Sequence, residues 1–239
     1  MGCSGWVYGV SVLSSLLSLD YMDRKDKKGL LLAGDTVSKL CSVNDKSSYP
    51  LFGDAGSATA IEFESGANGF RFHTETDGGG FKTITVPDGG YRNPVNLDSF
   101  LEKEITDGIR RNNLNLILEG MDIFTFGISK VPESVNKLIE HFGIDKDSID
   151  YFVFHQANKF LNEKIRKKLK LPEEKVPYSL KNYGNTSSAT IPLTIVTELK
   201  NRLCNSKKEI IACGFGVGLS WGSVHFNADK LVCSDLIEI

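Results

Sequence analysis

The stretch "GCSGWVYGVSVLSSLL" (residues 2–17) sets small residues around a cysteine and then runs into an apolar segment. Trp6, Val7, Val10, Leu13, Leu16 and Leu17 fall at helical spacing, which predicts a helix over 4–19. After a charged connector come "GLLLAGD" (29–35), which reads as a strand buried on both faces, and the glycine-containing turn "FGDAGSA" (52–58). A strand over 57–64 closes the series. The same order recurs downstream as "GNTSSATIPLTIVTELK" (184–200), "EIIACGF" (209–215), the turn "GVG" (216–218) and "LSWGSVHF" (219–226). Leu30 lies 27 positions after Cys3, and Ile210 lies 25 after Asn185. Two such series suggest duplicated α/β halves with Cys3 and Asn185 at equivalent helix N-termini, although helix–strand–turn–strand order also recurs by chance in α/β proteins.

The remaining segments fit the same class. A strand is expected over 69–76, and a loop rich in Gly, Pro, Asp and Asn over 77–97. A helix is expected over 98–118. Another starts near Pro132, carries Val135, Leu138, Ile139 and Phe142 on one face, and stops at Gly143. "DYFVF" (150–154) reads as a strand, and 158–170 and 187–203 as helices. The last strands are 209–215 and 220–226. This alternation predicts layered α/β architecture around a largely buried sheet.

Composition bounds the function classes. The chain has 239 residues, 24% of them charged, and a formal net charge of -2, so nothing draws it toward nucleic acid or an anionic membrane. Its five cysteines (Cys3, Cys41, Cys204, Cys213, Cys233) are odd in number and form no C-x-x-C pair. Neither a disulfide framework nor a metal site is suggested, and a reducing cytosol is the expected compartment. "MGCSG" has no basic residue, as a secretory leader would require. The apolar run to Leu19 carries four serines and is shorter than a membrane span, and Trp6 stands where myristoylation needs Ser or Thr.

Three residues carry candidate chemistry. Cys3, at a helix N-terminus, sits at the positive end of the backbone dipoles, which favours a nucleophilic thiolate; it also reads as a small core residue. His155 follows the apolar run "YFVF" and so falls at the carboxyl end of a buried strand, where α/β sheets build sites, or where a backbone group satisfies it. Asn185, in "NYGNTSSA", either caps the next helix or points into a cavity while Thr186 or Ser187 caps.

Taken together, Cys3 after a small residue, "HQAN" (155–158), "GNTSSA" (184–189) and "GFGVGLSWG" (214–222) resemble the β-ketoacyl-acyl-carrier-protein synthase III family. "LLLAGDTVSKLCSVND" (30–45) and "FGDAGSATAIE" (52–62) extend the resemblance, which covers Gly2 to Phe226. It implies a thiolase-like α/β fold, with duplicated halves in a layered α/β/α/β/α arrangement. Residues 1–68 would be the remainder of the N-terminal half, and 69–239 a connecting region and the C-terminal half. On the 132-to-185 spacing of the second half, at least about 50 positions, and on the order of a hundred, would be absent before Cys3.

The resemblance further implies a decarboxylating Claisen condensation. Cys3 would accept an acyl group from acyl-CoA or an acyl carrier protein, with the backbone N–H groups of Cys3 and Val217 stabilising the oxyanion. His155 and Asn185 would then hydrogen-bond the thioester carbonyl of malonyl-acyl-carrier-protein and support its enolate as carbon dioxide leaves. No metal or other cofactor is implied. Lys46, Gly120, Phe124, Ala157 and Asn158 match positions that bind CoA or its pantetheine arm. Val217 stands where many members have glycine, Lys46 where an arginine stacks on adenine, and Phe160 where a basic residue follows "HQAN". The implied protein is a cytoplasmic homodimer at full length, with acyl carrier protein as its partner and neither nucleic acid nor membrane. A non-condensing acyltransferase of the same superfamily and an inactive fragment serving as an interaction protein are the rival readings.

Overall fold

The computed structural model describes residues 1–19, 27–229 and 231–238. The first series folds as α1 (Gly5–Ser18), β1 (Lys28–Asp35) and β2 (Ala55–Glu62). β1 and β2 pair antiparallel from Lys28↔Glu62 to Asp35↔Ala55. Most of the charged connector ahead of β1 lies outside the described residues. β3 (Arg71–Thr76) leaves this pair and joins a second sheet.

Between β3 and the next long helix lie β4 (Ile84–Thr85), β5 (Lys103–Thr106), β6 (Ile109–Arg111) and β7 (Ile117–Leu118). The helix expected over 98–118 is therefore absent. Asp107-Gly108 makes a tight hairpin, with Gly108 at φ 71°, and pairs Thr106 with Ile109. An Asp-Gly turn between β-branched residues is a hairpin signal that outweighs the scattered apolar spacing. The loop expected over 77–97 holds β4, which pairs with β7.

α2 (Gly120–Phe142) starts 12 residues before the expected Pro132. A proline inside a helix leaves the carbonyl four residues earlier without its usual donor. Here the Lys168 ammonium donates to that carbonyl, Ile128 O, at 3.0 Å, so the helix runs through. Gly143 ends it in the left-handed conformation at φ 60°.

β8 (Tyr151–Phe154), α3 (Lys159–Lys168) and α4 (Leu180–Tyr183) follow. The helix expected over 187–203 is a composite: a 3-10 turn at Ser187–Ala189, α5 (Thr190–Thr194), a π turn at Ile195–Leu199, and α6 (Lys200–Leu203). β9 (Lys208–Gly216) and β10 (Ser220–Ala228) close the second series as an antiparallel pair, as β1 and β2 close the first. The second sheet runs β3-β10-β9-β8, with β8 parallel to β9 from Tyr151↔Ile210.

Both faces of this sheet are covered. On one, α2 and α3 pack through Val135, Leu138, Leu161 and Ile165 onto Phe152, Phe154 and Phe215. On the other, α1 and α5 bring Val7, Val10 and Ile191 against Val153, Ala212 and Val224. Each such large side chain contributes roughly 1.5–3 kcal/mol on burial. Beyond α1 and α5 lies the β1–β2 pair, so the described residues make four consecutive layers: helix, sheet, helix, sheet. β1 was expected to be buried on both faces; instead its residues alternate. Leu31 and Ala33 pack inward, whereas Leu30 and Leu32 are 62% and 71% exposed.

One close approach positions everything that follows. A Cβ on Gly214 of β9 would fall 2.9 Å from Ser4 Cα, so α1 lies directly on the strand backbone. Gly214→Val is expected to force these elements apart, costing about 1–3 kcal/mol in urea unfolding. An unchanged unfolding midpoint would contradict this packing.

Candidate active site

Cys3 is held against the carboxyl end of β9 by the same close approach. A Cβ on Gly216 would lie 2.8 Å from Cys3 Cβ and 3.0 Å from Sγ, so only glycine admits the thiol there. Ser4 Oγ donates to Ser220 Oγ at 2.6 Å, and Ser220 in turn donates to Val217 O at 2.8 Å, fixing the turn after β9. Cys3 Sγ lies 3.7 Å from Ser187 Oγ. Burial pushes the thiol up to about 11, and the Asp35 carboxylate adds to that. The Ser187 hydroxyl and the backbone N–H groups of Cys3 and Val217 pull the other way without prevailing. The thiolate favoured by helix position alone is thus overruled by desolvation.

His155 continues β8, its N–H donating to Cys213 O at 2.8 Å. Its ring stands edge-on to Phe215, with centroids 5.2 Å apart, and Nδ1 lies 2.7 Å from Thr190 Oγ1. Burial drives the imidazole down to about 3, against the opposing effect of the Ser187 backbone. The ring is therefore neutral at physiological pH.

Asn185 is set by a turn that needs glycine: Gly184 adopts φ 64°. Asn185 N–H donates to Leu51 O at 2.9 Å and its carbonyl accepts from Gly53 N at 3.0 Å, tying the turn to the segment ahead of β2. Its Oδ1 accepts from Ser187 N at 2.9 Å. That bond fixes the carboxamide orientation and leaves Nδ2 facing Ala157 O at a loose 3.5 Å.

A single cavity of about 730 Å³ brings these groups together. It is lined by Cys3, His155, Asn185 and Val217, and also by Gly120, Phe124, Ala157 and Asn158. Phe124 stacks on Phe160 at 5.4 Å, and Asn158 caps α3 through Leu161 N at 2.8 Å. Lys46 does not line the cavity; its ammonium, on a largely exposed side chain, pairs with Asp107 at 3.4 Å, and Ser47 reaches the wall instead. Sequence reasoning missed Asp35, Ser187 and Thr190. Asp35, at the end of β1, accepts from Ser188 N at 3.1 Å and Ser188 Oγ at 2.6 Å, joining the two related units. Ser187 and Thr190 lie inside a motif read as a helix start, where hydroxyls read as caps. The apolar wall from Ile84, Val86, Leu116 and Leu118 was hidden in the segments misread as loop and helix.

A duplicated helix–strand–strand unit, stacked in layers with a cysteine helix against the partner unit's sheet, defines a thiolase-like fold. Residues 1–78 match the family model described as 3-oxoacyl-[acyl-carrier-protein (ACP)] synthase III, and residues 139–228 match that for the C-terminal part of the same synthase. The β-ketoacyl-[acyl-carrier-protein] synthase III of Streptococcus agalactiae serotype III (strain NEM316) is 32% identical over 224 residues, covering 93% of this chain and 64% of that protein. A crystal structure of a 3-oxoacyl-(acyl-carrier-protein) synthase III superposes with TM-score 0.89 at 37% identity, covering 95% of this chain and 67% of that one. The 3-oxoacyl-(acyl-carrier protein) synthase from Burkholderia xenovorans LB400 gives TM-score 0.89 at 38% identity, covering 100% of this chain and 66% of that one. The chain belongs to the 3-oxoacyl-[acyl-carrier-protein] synthase III family. It spans about 64% of the length of the curated relatives it matches.

The raised thiol has a direct readout. Below its pKa the reactive thiolate fraction grows about tenfold per pH unit. Alkylation of Cys3 by iodoacetamide, followed by peptide mapping, is therefore expected to climb from pH 7 to about 9.5 without levelling. A plateau below pH 8 would contradict the dominance of burial.

Proposed function

We propose that the protein carrying this chain is a condensing acyltransferase, joining an acyl primer to a malonyl thioester by decarboxylating Claisen condensation. The observation that carries this reading is the single cavity in which a thiol, a neutral imidazole and an oriented carboxamide meet. Cys3 attacks the primer thioester: the S–acyl bond to Cys3 forms, the bond to the carrier sulfur breaks, and the thiol proton ends on the departing thiol. The backbone N–H groups of Cys3 and Val217 stabilise the tetrahedral oxyanion. His155 and Asn185 Nδ2 hydrogen-bond the malonyl thioester carbonyl. As carbon dioxide leaves, its electron pair becomes the enolate, which those two neutral donors stabilise without burying a net charge. The enolate carbon attacks the acyl-Cys3 carbonyl, forming the new carbon–carbon bond and breaking the S–acyl bond; Cys3 leaves as a thiolate and takes a proton from water to restore the resting thiol, giving a 3-oxoacyl thioester.

The substrates on this reading are acyl-CoA or acyl-carrier-protein primers and malonyl-acyl-carrier-protein, with Gly120, Phe124, Ala157 and Asn158 along the pantetheine path and Lys46 at its outer end. The reaction needs no metal or redox cofactor. A cytoplasmic homodimer in fatty-acid synthesis, and a division into residues 1–68 and 69–239, belong to the same proposal. The family resemblance supports the first, and the change of sheet between β2 and β3 supports the second.

The test is carbon dioxide release from malonyl-acyl-carrier-protein by the protein at its natural length, alongside 3-oxoacyl product formation with an acyl-CoA primer. His155→Ala and Asn185→Ala are each expected to cut decarboxylation by about 100-fold or more, while Cys3→Ala abolishes product. Acyl transfer without carbon dioxide release, or decarboxylation indifferent to both substitutions, would overturn the proposal.

A further inference from the structure

A neutral imidazole carries one proton and has two nitrogens, and its buried partner decides which nitrogen holds it. We propose that Thr190 is a positioning residue that makes this choice for His155: its hydroxyl donates to Nδ1, so that the ring presents Nε2–H to the cavity. The inference rests on the condensing reading, which requires a donor there.

Local hydrogen-bond accounting points to the hydroxyl. Thr190 Oγ1 lies 2.7 Å from Nδ1, and both residues are buried. The backbone N–H of Ser187 is engaged elsewhere, donating to Asn185 Oδ1 at 2.9 Å. The competitor for the Thr190 proton is the Ser187 carbonyl, 2.9 Å from Oγ1. That carbonyl already accepts the backbone N–H of Thr190 itself. It therefore keeps a partner when the hydroxyl turns to His155, whereas among the described residues the Thr190 hydroxyl is the group set against Nδ1. The opposite arrangement, Nδ1–H with the hydroxyl on Ser187 O, leaves a bare Nε2 that can only accept.

The placement is rigid. Thr190 begins α5 with Oγ1 set by the short turn at Ser187–Ala189, and its carbonyl accepts from Thr194 Oγ1 at 2.8 Å. One contiguous motif thus orients both donors: Ser187 N–H turns the Asn185 amide, and Thr190 Oγ1 assigns the His155 proton. A hydroxyl is the required feature, which serine retains and valine, close to threonine in shape, lacks.

The experiment is nitrogen-15 spectroscopy of histidine-labelled protein, with His155 assigned among the four histidines by the spectrum of His155→Gln. Wild type and Thr190→Ser are expected to show a pyrrole-type Nε2 and a pyridine-type Nδ1 across neutral pH. Thr190→Val is expected to lose that pattern and to release carbon dioxide from malonyl-acyl-carrier-protein about 10- to 100-fold more slowly, with Thr190→Ser restoring both. A protonated Nδ1 in wild type, or a pattern unchanged in Thr190→Val, overturns the proposal. Should the valine variant not fold, the wild-type and serine spectra still decide. The spectrum needs no turnover. A donor Nε2 in a protein that never decarboxylates therefore fails the condensing reading alone, and a protonated Nδ1 in an active enzyme fails this inference alone.

Discussion

The contact between the first turn of α1 and the backbone of β9 is the constraint on which the site depends. Gly214 and Gly216 present bare backbone where any side chain would strike Ser4 or Cys3. Because the helix can approach that closely, Cys3 enters the cavity from one structural unit while His155 and Asn185 enter it from the other. The Asp35–Ser188 bonds tie the same two units from the opposite direction.

Close approach brings desolvation, and desolvation sets the electrostatic character of the site. The same burial raises the thiol and lowers the imidazole, so both groups rest uncharged. A resting thiolate–imidazolium pair is thereby disfavoured, and polar groups act through oriented hydrogen bonds instead. The amides at Cys3 and Val217 face the sulfur, the Asn185 amide is turned by Ser187, and the His155 ring is anchored on Thr190. Such a site suits chemistry in which negative charge develops transiently on a thioester oxygen.

Much of this was legible in the sequence, for physical reasons that differ by segment. The two helix–strand–turn–strand series were readable because buried strands and glycine turns leave strong local signals, as in "EIIACGF" followed by "GVG". His155 was placed correctly at a strand end because "YFVF" is apolar throughout. The segment 98–118 was misread because long-range pairing of short strands has little periodicity of its own, although Asp107-Gly108 announced a hairpin. The start of α2 was hidden because Lys168, distant in sequence, satisfies the carbonyl that Pro132 frees. The protonation of Cys3 was equally out of reach. Helix position is local, whereas burial comes from the sheet, and burial prevails. Ser187 is legible in the sequence only as a possible cap, and Thr190 not at all, because a hydroxyl at a helix start has an ordinary capping explanation.

On the proposed reaction, Cys3 is the residue that takes the acyl group. The most direct test is intact-mass spectrometry of the protein incubated with acyl-CoA, followed by peptide mapping of the adduct. One acyl mass is expected to be added, lost on hydroxylamine treatment as a thioester would be, and located on Cys3. An adduct on Cys41, Cys204, Cys213 or Cys233 with Cys3 unmodified would contradict it.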